Sequence, residues 1–380
     1  MAVFQMSIFS YKINQKIHFD VLFITSKART YLNSLLQEIK HISFPLITRQ
    51  AGLLLLLLMF LSGCSSARDD VDIDGIDLSI EIFRLDRDLF KIDIDSIDQQ
   101  LPVLEDKYGD FFEIYNHLII NIGTPRSPAY EQSLRRFLTD FDIYRLHNEV
   151  ETVFPDLSDI ENEIEKAFKR FVYYFPGYPV PQIYTFISGF NQSVVAAENM
   201  LGIGLDKYLG RDHIFYSELQ LALFRRSVMY PEKIPSDCLI GWAMTEFEPD
   251  EGDDSLLSHI IYQGKLLYLA DKVLPHQHDT LKTGFTLSQL EWCRRNERHM
   301  WTYLVENKLL FSTDARTTGS FINEGPFTSG FSRESPARAA VWLGWQIVNS
   351  YMQRNSHVSL ENLMLDTDYQ GILHNARYRP

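Results

Sequence analysis

The sequence is poor in cysteine and in positive charge, and both shortages exclude classes of protein. Three cysteines occur in 380 residues, too few for the disulfide framework that stabilises small secreted scaffolds. Lysine and arginine together number 36 against 50 aspartate and glutamate residues, and the formal net charge is -14. Because binding to a phosphate backbone requires a positive surface, we expect no nucleic-acid partner.

Catalytic motifs and membrane-spanning runs are also missing. The chain contains no H-E-x-x-H zinc motif, no G-x-S-x-G nucleophile elbow and no glycine-rich phosphate loop. A membrane-spanning helix needs about 20 apolar residues, and the apolar run at residues 51–61 is well short of that length. We therefore predict no catalytic residue, no metal and no cofactor. A divergent metallohydrolase with an unrecognised site stays open as an alternative.

The short apolar run is typical of a bacterial lipoprotein signal. Basic residues precede it, and the small residues Ser62 and Gly63 stand directly before Cys64, as in a secretory signal peptide. The sequence LSGC matches the lipobox, in which the peptide is cut before the cysteine and the thiol is diacylated. We predict that residues 1–63 are a removed leader and that Cys64 carries the lipid. One acyl chain such as palmitate holds only marginally, whereas two or three anchor a protein stably.

The expected location is the cell envelope, with the lipid in the outer membrane and the domain facing the periplasm. Ser65 follows the cysteine, whereas an aspartate at that position retains lipoproteins at the inner membrane in some bacteria. The inner membrane stays open as an alternative. The cell surface also stays open, because Asp69 and Asp70 could direct export.

An acid-rich segment follows the anchor. We predict a lipidated, solvated tether over residues 64–77 and one large globular domain over residues 78–380. A calcium loop is the alternative, because the acids fit the EF-hand spacing, but Asp77 occupies a position that is normally apolar. His276 and His278 could share a metal, yet no third ligand lies nearby in the sequence. The residues that fit the calcium spacing are Asp70, Asp72, Asp74, Gly75 and Glu81.

The hydrophobic pattern predicts an α+β fold that is mainly helical. Alternating apolar residues predict strands over residues 78–83, 183–187 and 194–203. Helical spacing dominates the rest of the chain, which favours a single helix-rich domain.

Capping residues place the main helices. Sequences of the capping-box type predict helices that begin at Ser158 and Ser288, and a third helix is predicted over residues 254–273. Ser335 before a proline is the predicted N-cap of a last helix. Gly344, in the middle of that helix, indicates close packing or a kink.

One carboxylate and two thiols fall at apolar positions. Glu297 lies in the apolar stripe of its helix, and a buried charge needs a partner, so we predict an ion pair with Arg333 or Arg338. A carboxylate in a ligand cleft is the alternative. Cys238 and Cys293 are predicted to be two buried free thiols, with a disulfide as the alternative.

Several segments besides the lipobox share an order and spacing with a known family. They are residues 201–210, 259–271, 296–314, 325–352 and 376–380. Together they resemble the gliding-motility lipoprotein B family, GldB, over most of the mature chain. The resemblance implies a component of the envelope machinery for gliding motility, which is linked to a dedicated secretion system. Relatives also occur where gliding is absent, so a broader cellular role stays open. We predict a non-catalytic role through contacts with other envelope proteins.

A second resemblance concerns mechanism. Residues 262–268 are similar to the E-G-x-A-x-Y helix of thermolysin-like zinc peptidases, in which the glutamate is a zinc ligand. Gln263 stands at the glutamate position, and residues 235–247, where the H-E-x-x-H helix would fall, contain no histidine. The similarity implies a peptidase-like fold that has lost its metal site. The candidate polar residues are Gln263, Lys265, Asn296, Glu297, Arg333 and Arg338.

A periplasmic ligand-binding lipoprotein is the remaining alternative for the function. Its ligand would occupy an aromatic cleft, because tryptophans are concentrated in the C-terminal third of the chain. The residues predicted to form that cleft are Trp292, Trp301, Trp342 and Trp345.

Overall fold

The computed structural model describes residues 70–250 and 252–380, which belong to a compact unit running from Arg68 to Pro380. The predicted leader and Cys64 lie outside the described residues. The described chain is mainly helical and carries one small sheet, which confirms the predicted α+β class. None of its described helices combines the length and the apolar character that crossing a bilayer requires.

Helices account for most of the fold, and the longer ones bury an apolar face. In the helix over residues 158–174, for example, Ile164, Phe168 and Phe171 recur at helical spacing and are buried. The α-helices are α1 (Leu85–Asp88), α2 (Ile97–Ile114), α3 (Tyr130–Leu138), α4 (Phe141–Val153), α5 (Ser158–Tyr174), α6 (Ile214–Glu218), α7 (Leu223–Arg226), α8 (Ile234–Glu246), α9 (Leu256–Val273), α10 (Asp279–Thr283), α11 (Leu287–Glu306), α12 (Ala315–Ile322), α13 (Ala339–Arg354), α14 (Leu360–Leu365) and α15 (Tyr369–Ala376).

One four-stranded sheet lies among these helices. Its strands are β1 (Ile82–Arg84), β2 (Gln182–Phe186), β3 (Val194–Ala197) and β4 (Met200–Gly204). The strand order is β1-β2-β4-β3, so β3 is an edge strand. β2 pairs in parallel with β1 and β4, whereas β3 and β4 pair antiparallel.

The sheet separates two cores. Ile183 of β2 faces the larger core, and Tyr184 and Phe186 face a second core that includes α2. The ring of Phe111 in α2 stacks on Tyr184 with centroids 4.2 Å apart. Because successive strand residues point to opposite faces, one strand supplies both cores.

The single strand predicted over residues 194–203 is wrong. These residues form the β3–β4 hairpin, which turns at Asn199 with a φ of 55°. Asparagine tolerates this left-handed conformation better than most residues. The turn therefore reverses a segment whose apolar pattern predicted continuity.

The capping box predicted at Ser158 is also wrong. The carboxylate of Glu161 accepts the backbone N–H of Ile82 at 3.1 Å, so it does not reach back to the start of its own helix. Asp156 accepts the backbone N–H of Ser158 at 3.1 Å instead. A contact between distant segments thus replaced the local one.

Two other helix starts lie close to their predicted positions. α9 begins two residues after the predicted start, with the side chain of Ser255 accepting from the N–H of Ser258. The capping box predicted at Ser288 is displaced, because Thr286 and Gln289 form it. Both helices nevertheless begin where side-chain oxygens can satisfy the unpaired backbone N–H groups.

α9 and α13 cross where two glycines meet. A Cβ atom on Gly344 would lie 1.6 Å from the carbonyl oxygen of Ile260, and one on Gly264 would lie 2.3 Å from the carbonyl carbon of Gly344. α13 runs through Gly344 as one helix. Of the two predicted roles for this glycine, close packing is the one that the structure supports.

The acidic segment contacts the domain at its first described residue. Asp70 pairs with the buried guanidinium of Arg170 at 2.8 Å and with the ring of His276 at 2.8 Å. Asp72 and Asp74 are exposed. Within residues 70–250 and 252–380, no group of three or more His, Cys, Asp or Glu side chains is arranged to hold a metal ion.

Candidate functional site

A cleft of about 470 Å³ lies beside α8 and is the strongest candidate for a binding site. One face of α8 lines it through residues at positions i, i+3, i+4 and i+7, which share a helix face. These are Asp237, Ile240, Gly241 and Met244. The opposite face, which includes Cys238, Leu239 and Trp242, is buried in the core.

Several other parts of the chain also line the cleft. Ser193 and Val194 line it at the start of β3, and a Cβ atom on Gly241 would come within 3.1 Å of the Val194 side chain. Gln263 of α9 lines another wall, and Arg338 enters from the loop before α13. The structure thus brings together Gln263 and Arg338, two of the predicted polar residues.

Arg338 is held in place by its backbone. It is the N-cap of α13 and has a φ of 58°, a conformation that side-chain-bearing residues rarely adopt. The hydroxyl of Thr328 accepts the next backbone N–H, that of Ala339, at 2.9 Å. Ser335, the predicted N-cap, instead donates its hydroxyl to the carbonyl of Ser332, so that prediction is wrong.

The guanidinium of Arg338 lies at the wall of the cleft and has few polar contacts to offset the burial of its charge. Its Nη2 contacts Oε1 of Gln263 at a long 3.5 Å. Burial lowers the pKa of Arg338, and the charges of Glu324 and Asp237 oppose that effect. The structure therefore places a partly buried cation beside open space.

Besides Arg338, the cleft contains six charged side chains that the sequence pattern does not mark. Five basic side chains and two acidic ones line it, although the chain as a whole is strongly acidic. The basic residues come from segments far apart in sequence, so no local pattern marks them. They are Lys207, Arg225, Lys233, Lys282 and Arg338, and the acids are Asp237 and Glu324.

Two of these lysines are already paired. Lys233 forms an ion pair with Asp237 at 2.6 Å, and the hydroxyl of Tyr208 donates to the same carboxylate at 2.9 Å. Lys282 is buried and pairs with Asp271. These contacts fix the walls of the cleft, and Asp237 is committed to them.

The predicted ion pair of Glu297 is wrong. Its carboxylate accepts hydrogen bonds from the hydroxyl of Tyr378 at 2.6 Å and from the indole N–H of Trp342 at 3.3 Å. Arg333 is exposed, and Arg338 lies at the cleft. Neutral donors therefore satisfy this partly buried carboxylate, and it links α11 to α13 and to the C-terminus.

The predicted aromatic cleft does not form. Trp342 and Trp345 are buried and meet edge to face at 5.5 Å, while Trp301 packs against Tyr378. Trp292 lines a separate surface pocket together with Asn296. Trp301, Trp342 and Trp345 pack in or against the hydrophobic core. None of these tryptophans lines the candidate cleft, which is mainly polar and aliphatic.

Cys238 and Cys293 are both buried and free, as predicted. Burial raises the pKa of both thiols, that of Cys293 to about 12. Neither is a candidate nucleophile, because the reactive form of cysteine is the thiolate.

Lys265 is buried on the side of α9 away from the cleft. Its Nζ donates to the backbone carbonyl of Asp366 at 2.8 Å and lies 5.4 Å from the ring centre of Tyr369. Burial lowers the pKa of Lys265 from 10.5 to about 8, and the charge of Asp366 opposes this effect. The role of this predicted polar residue is therefore structural.

A pH-dependent stability follows from that shift. Between about pH 8 and pH 10.5 the unfolded chain binds a proton that the folded chain has lost, so stability rises with pH in this window. The penalty is fully present below about pH 8 and amounts to about 3 kcal/mol. We expect Lys265→Met to lose this rise when urea unfolding is measured across the window.

Lys272→Met is the matched control, because Lys272 lies in the same helix and is partly exposed. Because Lys272→Met keeps Lys265, it should also keep the rise of stability with pH. A rise of the same size in Lys265→Met would contradict the buried-lysine interpretation.

The model of the family described as gliding motility protein GldB matches residues 66–380. The chain belongs to the GldB family. No curated protein and no solved structure matches it significantly. As a GldB member it is a gliding-motility-associated lipoprotein of the cell envelope, and the residues that line the cleft lie within the matched range.

Proposed function

We propose that this GldB-family chain is anchored by lipid on Cys64 and acts without catalysis, through contacts with other proteins of the motility and secretion machinery. The lipid lies in the outer membrane, and the domain faces the periplasm on a tether formed by residues 64–77. The lipobox supports the anchor, and the family match supports the motility role.

The residues that line the cleft support the proposal that the protein is not a zinc hydrolase. A zinc hydrolase uses about three protein ligands around an open coordination position. In the peptidase-like resemblance, α8 and Gln263 would supply them, and both line the cleft. Yet α8 offers only Asp237 as a ligand there, already bonded to Lys233 and Tyr208, and Gln263 is a weak, neutral ligand.

A ligand-binding lipoprotein is a second candidate, because the cleft volume falls in the range of about 300–1,000 Å³ usual for ligand sites. Its occupant would be anionic rather than aromatic, since basic side chains outnumber acidic ones there. This candidate is compatible with a role in protein contacts if the occupant is a segment of another protein.

Removal of the gene from a gliding host tests the proposal. We expect spreading on agar to stop and a wild-type copy to restore it. Purified mature lipoprotein should hold far less than one zinc per chain, and brief chelation should leave its melting temperature unchanged. Normal gliding without the gene would contradict the motility role. One tightly held zinc per chain with hydrolytic activity would contradict the non-catalytic role and favour a metallohydrolase.

A further inference from the structure

The open side of β3 is an unpaired sheet edge beside the cleft. The N–H of Gly204 donates to the carbonyl of Ser193 at 2.9 Å, and the register pairs Val195 with Gly202. Because inward and outward backbone groups alternate in an antiparallel pair, those of Val194 and Ala196 point away from β4. Among the described residues, no strand pairs with that side.

The sheet edge and the cleft are adjacent. Val194 both begins β3 and lines the cleft. An extended chain that paired with Val194 and Ala196 would add a strand to the sheet, and its alternate side chains would enter the cleft. The volume of about 470 Å³ suits a few residues of an extended segment rather than a folded domain.

The excess of basic side chains in the cleft favours a segment with acidic side chains. Lys233 and Lys282 are neutralised by nearby carboxylates. Lys207, Arg225 and Arg338 also line the cleft, and none of them forms an ion pair with a carboxylate of the described chain. Lys207 donates to the carbonyl of Phe190 at 3.3 Å, and Arg225 is exposed above the ring of Phe224.

We infer that the cleft binds an extended, acidic peptide segment of a partner protein, which adds to β3 and places its carboxylates against Arg338, Arg225 and Lys207. Backbone pairing along the edge supplies binding that does not depend on sequence. The basic side chains supply selection for acids, because hydrogen bonds between charged groups are the stronger ones. This inference rests on the proposed role in protein contacts and names the chemistry of one partner.

Fluorescence anisotropy with short labelled peptides tests the inference on the mature lipoprotein in detergent. One probe is a pool of pentapeptides with aspartate at the first, third and fifth positions and valine, alanine or serine between them. The second pool has lysine in place of aspartate. We expect the acidic pool to bind at least tenfold more tightly, since its carboxylates share one face of an extended chain.

Substitutions and backbone methylation locate the binding. Arg338→Gln and Arg225→Gln should each weaken binding of the acidic pool about threefold to tenfold. Arg226→Gln is the control and should not, because Arg226 does not line the cleft and bonds to Ser217. N-methylation removes alternate backbone N–H donors of the peptide. Methylation of the N–H groups that face β3 should abolish binding, and methylation of those that face away from β3 should not.

Three results would overturn the inference. The first is that both pools bind equally or that neither binds. The second is that Arg225→Gln and Arg226→Gln weaken binding equally. The third is that inorganic phosphate competes fully while N-methylation has no effect. The last would assign the cleft to a small anion instead. None of them would affect the proposed motility role, which fails only if the gene proves dispensable for gliding.

Discussion

Gly344→Ala is expected to destabilise the folded domain by about 3 kcal/mol or more. The added methyl group would lie 1.6 Å from the carbonyl oxygen of Ile260, within the facing helix. Overpacking in a core costs about 1–3 kcal/mol and sometimes more, and here the obstructing atoms belong to backbone that cannot rotate away. α9 and α13 would have to separate. Urea unfolding followed by circular dichroism measures the loss.

Gly177→Ala is the matched control, because a Cβ atom there would meet nothing within 4 Å. That substitution should leave stability unchanged or raise it by about 0.4–1 kcal/mol through the unfolded chain. If Gly344→Ala were as stable as Gly177→Ala, the close crossing of α9 and α13 would be disproved.

Cys64→Ala is expected to abolish lipid attachment completely. The variant lacks the thiol that receives the diacylglyceryl group, so metabolic labelling with an alkyne analogue of palmitate should disappear. Since cleavage follows lipidation, the uncleaved precursor should accumulate, detected by its larger apparent mass. Loss of the acyl chains removes about 0.8 kcal/mol of membrane affinity for each buried methylene.

Ser66→Ala is the control for this second prediction, because it alters a neighbouring residue and keeps the lipobox LSGC intact. Its labelling and cleavage should match those of the wild type. Normal labelling of Cys64→Ala would exclude the lipoprotein assignment of the anchor and, with it, the predicted tether. Protease accessibility on intact cells would show whether the domain lies on the cell surface or in the periplasm.

The sequence alone determined those features that depend on neighbours along the chain. The spacing of apolar residues predicted α5, α9, α11 and the mainly helical class, which the structure confirms. The contiguous lipobox predicts the anchor, which stays a prediction. Gly344 was also placed correctly, since a glycine in the middle of an apolar helix is costly unless another backbone approaches it. For the helices the physical cause acts within a few helical turns, whereas the backbone that approaches Gly344 belongs to Ile260 of another helix.

Only the tertiary structure decided the partners of the polar groups. The carboxylate of Glu297 is satisfied by Tyr378, 81 positions away, and Glu161 accepts from Ile82 rather than capping its helix. Likewise, the five basic side chains of the cleft come from distant segments, and one of them is Arg338 at the start of α13. A buried charge must find some donor or counter-charge, but its sequence context does not specify which, because the fold sets the distances between segments.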